Sequence, residues 1–152
     1  MFREPGDKNY DNSFLEAVSF FKNLLQKEIN VATYIWNQEQ KVESAYQTAS
    51  DKSVIELPEG LPFQEILSGK PEPLFVFFMN EDKKWQAQAV QSKDRQMEYR
   101  KLFPLAWRGL KDGALEKASG LMGSTFCHRS GHLFFATNRE AVMKATNKAL
   151  SE

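Results

Sequence analysis

Residues 74–79 read LFVFFM, an unbroken apolar run, and no other stretch constrains the fold as strongly. Such a run, preceded by a proline-rich connection and followed by the turn sequence NEDKK, is the signature of a central strand with both faces covered. Residues 85–91, WQAQAVQ, then alternate. Trp85, Ala87 and Ala89 share one face and Gln86, Gln88 and Val90 the other, so the two segments predict an antiparallel hairpin. SVIEL (residues 53–57), ended by Pro58, is a further short strand, and one helical turn is expected around residues 64–67.

Helical spacing dominates the N-terminal third. Ser13-Phe14-Leu15-Glu16 has the form of a capping box. Behind it, Phe14, Val18, Phe21, Leu25, Ala32, Ile35, Val42 and Tyr46 recur mostly at gaps of three, four or seven. They predict one long helix over residues 13–48, bent near Asn30, preceded by a flexible polar lead-in over residues 1–12. A helix of that length exceeds most globular helices, so part of it is expected to pack outside the core or against a partner. Towards the C-terminus, Asp112 is expected to cap a short helix that Gly120 stops. Thr137-x-x-Glu140 forms a second capping box before a helix to about Leu150. The order is α–β–turn–β–β–α–β–β–α. This is an α+β fold with a mixed or antiparallel sheet of about five strands covered by helices, and residues 13–152 form one domain.

The 152 residues suit a single core, and 12 Phe and 3 Trp supply its material. Twenty basic residues balance 20 acidic ones, which argues against a generally basic nucleic-acid-coating protein and leaves room only for local patches. The lone Cys127 excludes an internal disulfide and fits a reducing compartment. No apolar run has the length of a membrane span, and the N-terminal stretch is not a signal peptide. The expectation is a soluble, intracellular, cytoplasmic protein with no membrane partner.

Residues 126–135, FCHRSGHLFF, concentrate one cysteine, two histidines, an arginine and a serine. With Ser130-Gly131 as a two-residue turn, Arg129 faces His132, His128 faces Leu133, Cys127 faces Phe134 and Phe126 faces Phe135. Alternation then points Cys127 and His128 apart, which makes a poor nucleophile–base dyad. It also separates His128 from His132, which disfavours a shared metal. Cys127 reads as a small buried hydrophobe. His128 reads either as a satisfied structural histidine or as a ligand contact. Arg129 and His132 read as solvated tip residues, with phosphate contact as the lesser alternative. A Cys/His enzyme is the least favoured reading. Glycine-rich phosphate loops, HExxH, CxxC, GxSxG and metal-spaced Asp/His clusters are absent from the sequence. A basic stretch, Lys93, Arg95, Arg100, Lys101, Arg108 and Lys111, is interleaved with Tyr99, Phe103 and Trp107. That mixture suits phosphate contact with base stacking, or else a solvated loop over an apolar anchor.

WRGLKDGALEKASGLMGSTFCHRSGHLFF (residues 107–135), continuing into TNREAVMKA, resembles the C-terminal end of the melanocyte proliferating gene family, uncharacterised protein family 0160. FLEAVSFFKNLLQKEI, VIELPEGLPFQEIL and WQAQAV are similar to earlier segments of the same region, so the resemblance spans about residues 11–150. That family groups with the DHH-type phosphoesterases and contains metal-dependent RNA exonucleases. The resemblance implies a DHH-associated-type C-terminal domain that binds substrate. The divalent metal (Mn or Mg) and the catalytic His/Asp motifs would belong to an N-terminal half whose motifs this sequence lacks. It therefore implies no cofactor, metal ligand or catalytic residue in this chain. Trp107, Arg108, Gly109, His128, Ser130 and Gly131 match the family's pattern. Arg108, Arg129 and His128 would contact phosphate, Ser130 and the Gly131 backbone would assist, and Trp107 would stack or anchor. The expected partners are single-stranded nucleic acid or a nucleotide, and the catalytic half. Where the pattern has Gly-Gly, this chain has Phe134-Phe135, and large side chains there would block a backbone approach to phosphate. The alternative is a non-catalytic interaction module that dimerises through the helix 13–48 and carries a degenerate ligand site.

Overall fold

A computed structural model of the chain describes residues 8–94 and 98–152. Arg95, and the lead-in as far as residue 7, lie outside them. The chain divides into two units, Met1–Asn37 and Gln38–Glu152. Helix α1, Lys8–Thr48, begins ahead of the predicted Ser13 cap, takes in Lys8 to Asn12 of the predicted lead-in, and continues through Asn30 without interruption. Of its periodic apolar residues, only Val42 and Tyr46 are buried. In the first unit Phe14, Phe20, Phe21, Leu25, Tyr34 and Trp36 are each more than half exposed. Among the described residues no helix is long and apolar enough to cross a membrane.

The second unit is built on one five-stranded sheet. Its strands are β1 (Val54–Glu56), β2 (Phe75–Met79), β3 (Trp85–Ala89), β4 (Ser124–Cys127) and β5 (Leu133–Ala136), in the order β1-β2-β3-β5-β4. β1 runs parallel to β2 and the other pairs are antiparallel, so the sheet is mixed. The apolar run sits where its composition demands. Phe75 and Phe77 enter one core cluster, with Ala87, Ala89, Phe134 and Ala136. Val76 and Phe78 enter a second cluster on the opposite face, with Ile55, Val42 and Tyr46. Helices α3 (Asp112–Ser119) and α4 (Arg139–Ser151) cover the first face, and α2 (Gln64–Ser68) and the last turns of α1 cover part of the second.

Two helix starts fall one residue away from the expected caps. Lys111 occupies the N-cap of α3, with no side-chain cap bond, and Asp112 is the first helical residue at φ 44°. For α4 the cap is Asn138 rather than Thr137, its Oδ1 accepting from the Ala141 amide at 2.8 Å. Gly120, at φ 69°, ends α3 as predicted.

The charged loop after β3 is tied down by Arg100. Its guanidinium donates to the carbonyls of Ser68 (2.5 Å), Lys70 (2.6 Å) and Pro73 (3.0 Å). The adjacent Tyr99 is thereby held at the β3 end of the sheet, where its backbone bridges to Gln91.

Candidate functional site

The β4–β5 hairpin has the register that alternation dictates, Phe126 opposite Phe135 and Cys127 opposite Phe134. Its turn is different from the predicted one. The Gly131 amide donates to the His128 carbonyl (2.8 Å) and the His128 amide to the Leu133 carbonyl (2.8 Å), so Arg129 and Ser130 are the central residues. Gly131, at φ 77°, follows that turn in the left-handed conformation, and the His128–Leu133 pair closes the loop in the same register as Cys127–Phe134. The loop is therefore four residues long, 129–132, and Arg129 and His132 are loop residues to which the strand period of two does not extend.

The histidines are consequently brought together rather than separated. The rings of His128 and His132 lie 4.5 Å apart at 62°. The Ser130 hydroxyl oxygen bridges them, 2.8 Å from His128 Nδ1 and 2.5 Å from His132 Nδ1. An amide can only donate, and the Ser130 amide points at His128 Nδ1 (3.1 Å), so that nitrogen is an acceptor. The single hydroxyl proton then goes to His128, and His132 Nδ1–H donates to the hydroxyl. Tyr99 stacks on the far side of His132, rings 4.9 Å apart and 12° from parallel. Burial, followed by the neighbouring His128, lowers the His132 pKa below its ordinary value, which favours the neutral ring.

Arg108 closes the other side of the turn. Its Nε donates to the Phe103 carbonyl (2.9 Å), and the Phe103 amide donates to the Gly131 carbonyl (2.8 Å). The guanidinium lies so close to Gly131 that a Cβ there would sit 2.5 Å from Nε. Arg108, His128, Ser130 and Gly131 therefore converge, and Arg129 and Ser130 are exposed at the tip. Trp107 and Gly109 belong to the scaffold beneath. The Trp107 ring is buried against Phe103 and Phe134, which makes it an anchor. Gly109, at φ 80°, donates its amide to the Cys127 carbonyl (2.9 Å) and aligns the following segment along β4.

Cys127 is fully buried, and burial pushes its thiol up to about 11, opposed only in part by the Arg108 charge. A neutral thiol buried in the core cluster is inert packing. Phe134 and Phe135 are likewise split between faces. Phe134 is in the core, 5.3 Å from Phe103, while Phe135 pairs with Phe126 at 6.1 Å on the opposite side. Only Phe135 stands on a face that a ligand can reach. Within the basic stretch Arg100 is structural, bound to three carbonyls, and the interleaved Phe103 and Trp107 are buried.

His132 and Tyr99 are the site members that strict alternation concealed. The signal was present in the sequence, because a glycine suits the left-handed residue of a four-residue loop as well as it suits a two-residue turn. Among the described residues no group of three or more His, Cys, Asp or Glu is arranged to hold a metal ion. A separate depression of about 1040 Å³, lined by Val54, Phe77, Trp85 and Met143, contains Glu56 and Arg139, which pair with each other.

Residues 2–150 match the family described as an uncharacterised protein family (UPF0160). The MYG1 exonuclease of Homo sapiens is 24% identical over 159 residues, an alignment covering 96% of this chain and 42% of the relative. A MYG1 protein of Chlamydia pneumoniae is 32% identical over 155 residues, covering 99% and 52%. A MYG1 protein of Saccharomyces cerevisiae is 22% identical over 160 residues, covering 97% and 47%. The chain thus spans about half the length of the curated relatives it matches. No solved structure gives a significant match.

Proposed function

The chain belongs to the uncharacterised protein family UPF0160 and is similar to MYG1 exonucleases, and from this premise we propose that it is an accessory substrate-binding domain of an exonuclease-like system. It holds a phosphate of single-stranded RNA at the hairpin tip and does not hydrolyse the chain by itself. Hydrolysis would fall to a DHH-type half carrying a divalent metal, Mn or Mg. The observation that carries this reading is the Ser130 hydroxyl between two imidazoles, on an exposed turn beside the Arg108 guanidinium. Two imidazoles and a guanidinium gathered at one turn suit a phosphate oxygen. Arg129 adds an exposed charge, Trp107 and Gly109 fix the base of the turn, and the buried Cys127 suits a reducing intracellular compartment.

Short single-stranded RNA should bind at low salt and weaken steadily as salt rises, measured by fluorescence anisotropy. The affinity should also rise as pH falls through the imidazole range. His132 in the free protein is biased towards the neutral form, and a bound phosphate favours its charged form, so binding takes up a proton. Absence of binding at low salt by a protein shown to be folded would refute the reading.

A second reading rests on α1. Its first unit leaves aromatic and aliphatic side chains exposed along its length, which suits self-association. Light scattering should then show a dimer that Phe21→Glu with Leu25→Glu converts to monomer. A strict monomer in the unaltered protein counts against it.

A further inference from the structure

Phe126 and Phe135 face each other across β4 and β5 on the side of the sheet opposite Phe134, rings 6.1 Å apart and 42° from parallel. The core cluster on their side takes its strand residues and the neighbouring Val90 from the β1–β3 half and draws nothing from β4 or β5. Both rings are half-buried and form the floor of a cavity of about 390 Å³. Lys84, Lys111, Asp82 and Asp112 stand around it, and the Lys111 ammonium lies 5.8 Å from the centre of the Phe126 ring. At its other edge Phe126 meets His128 of the hairpin tip, ring centres 6.2 Å apart.

The shape and chemistry of this surface select among ligands. Two aromatic rings on neighbouring strands of an open sheet face are the arrangement on which unpaired bases stack, because every base presents a π-face. A volume of this size suits one nucleotide rather than a helix or a strand of protein. The two lysines offer contacts to phosphate. The two carboxylates offer acceptors to ribose hydroxyls and exocyclic amines, so a cavity that is neutral as a whole still suits all three parts of a nucleotide. A second feature singles out the place. Lys83 and Asp112 are the non-glycine residues with positive φ among the described residues, at 61° and 44°. Asp112 lines the cavity and Lys83 lies between two residues that do. Such backbone is sparsely populated and concentrates at functional sites.

We infer that Phe126 and Phe135 form a base-stacking platform for a nucleotide of single-stranded RNA whose neighbouring phosphate is held at the hairpin tip. This rests on the phosphate reading of the tip and adds the class of group recognised beside it. Phe135 is then a ligand residue gained where the family pattern has glycine, not an obstruction.

The test compares a fluorescein-labelled short oligoadenylate with an abasic chain of the same length, at low salt, on the full chain. Phe126→Leu and Phe135→Leu keep the apolar volume and remove the ring, and near-ultraviolet circular dichroism checks the fold. Each should weaken oligoadenylate binding by about fivefold or more, on the scale of base–aromatic stacking, and leave abasic binding unchanged. His128→Gln with Arg129→Ala should weaken both probes alike. Unchanged oligoadenylate affinity in both leucine variants overturns the platform and leaves the tip standing. Phe-dependent binding that ignores the tip substitutions supports the platform and removes the tip reading. Failure of the unaltered chain to bind either probe overturns both.

Discussion

Phe134→Ala should cost about 3–5 kcal/mol of stability, whereas Phe135→Ala should cost about 1 kcal/mol, although the two are adjacent. Phe134 is fully buried, its ring 5.3 Å from Phe103 and 5.9 Å from Trp107, beneath the segment that carries Arg108. Truncation leaves a cavity between β5 and that segment, and three interlocked aromatic rings have little freedom to collapse into it. Phe135 is only partly buried and pairs with Phe126 beside an open cavity, so it loses less contact and water fills the gap. Thermal unfolding would show the difference as a melting temperature lower by roughly 10 °C or more for Phe134→Ala and by a few degrees for Phe135→Ala. RNA binding should rank the opposite way once both proteins are compared below their transitions. Equal destabilisation would mean that the two faces of β5 are not distinguished as described.

That contrast also separates two residues that the sequence presents as a pair. Set against a Gly-Gly pattern, the two residues look like one bulky block in a phosphate path. Strand alternation splits them, and only Phe135 faces outward. The same alternation made much of the fold legible. LFVFFM alternates between two core clusters, the Phe126–Phe135 register was fixed by the period of two, and a helical turn at Gln64–Ser68 followed from its punctuation. Register survives because a one-residue slip would carry every apolar side chain to the wrong face.

The elements that were not legible are those where two local solutions use the same letters. Thr137 and Asn138 both suit an N-cap. Asn138 takes the position, and Glu140 pairs with Lys144 at 2.5 Å instead of closing a capping box. Ser130-Gly131 suits a two-residue turn, yet Arg129 and Ser130 take the turn and Gly131 follows it, left-handed, in a four-residue loop. The stacking of Tyr99 on His132 and the closeness of Arg108 to Gly131 accompany that choice, and both are contacts from outside the hairpin. The helical period of α1 marked an apolar stripe but carried no information on what covers it, and most of that stripe is exposed.

Gly131→Ala tests whether that left-handed loop residue builds the site, and it should cost about 2–5 kcal/mol. An L-residue in the left-handed region costs roughly 1–2 kcal/mol, and crowding a packed contact adds roughly 1–3. The crowding is specific. The new Cβ would lie 2.5 Å from Arg108 Nε and 3.0 Å from its Cδ. These are not the free end of a flexible chain, because Nε is fixed to the Phe103 carbonyl at 2.9 Å, and the Phe103 amide is bound back to Gly131. Gly109→Ala is the matched control. Gly109 has nearly the same φ, 80°, but a Cβ there meets nothing within 4 Å, so it should show only the conformational cost. Arg108→Ala in the Gly131→Ala background should recover the difference, as a coupling of roughly 1–3 kcal/mol in a double-mutant cycle by denaturant unfolding. RNA affinity should fall with Gly131→Ala and hold with Gly109→Ala, because only the first displaces the guanidinium and the His128–Ser130–His132 bridge. If the two glycine variants lose equal stability and bind equally well, the contact between Arg108 and the turn is not what shapes the tip, and the convergence of donors there loses its structural cause.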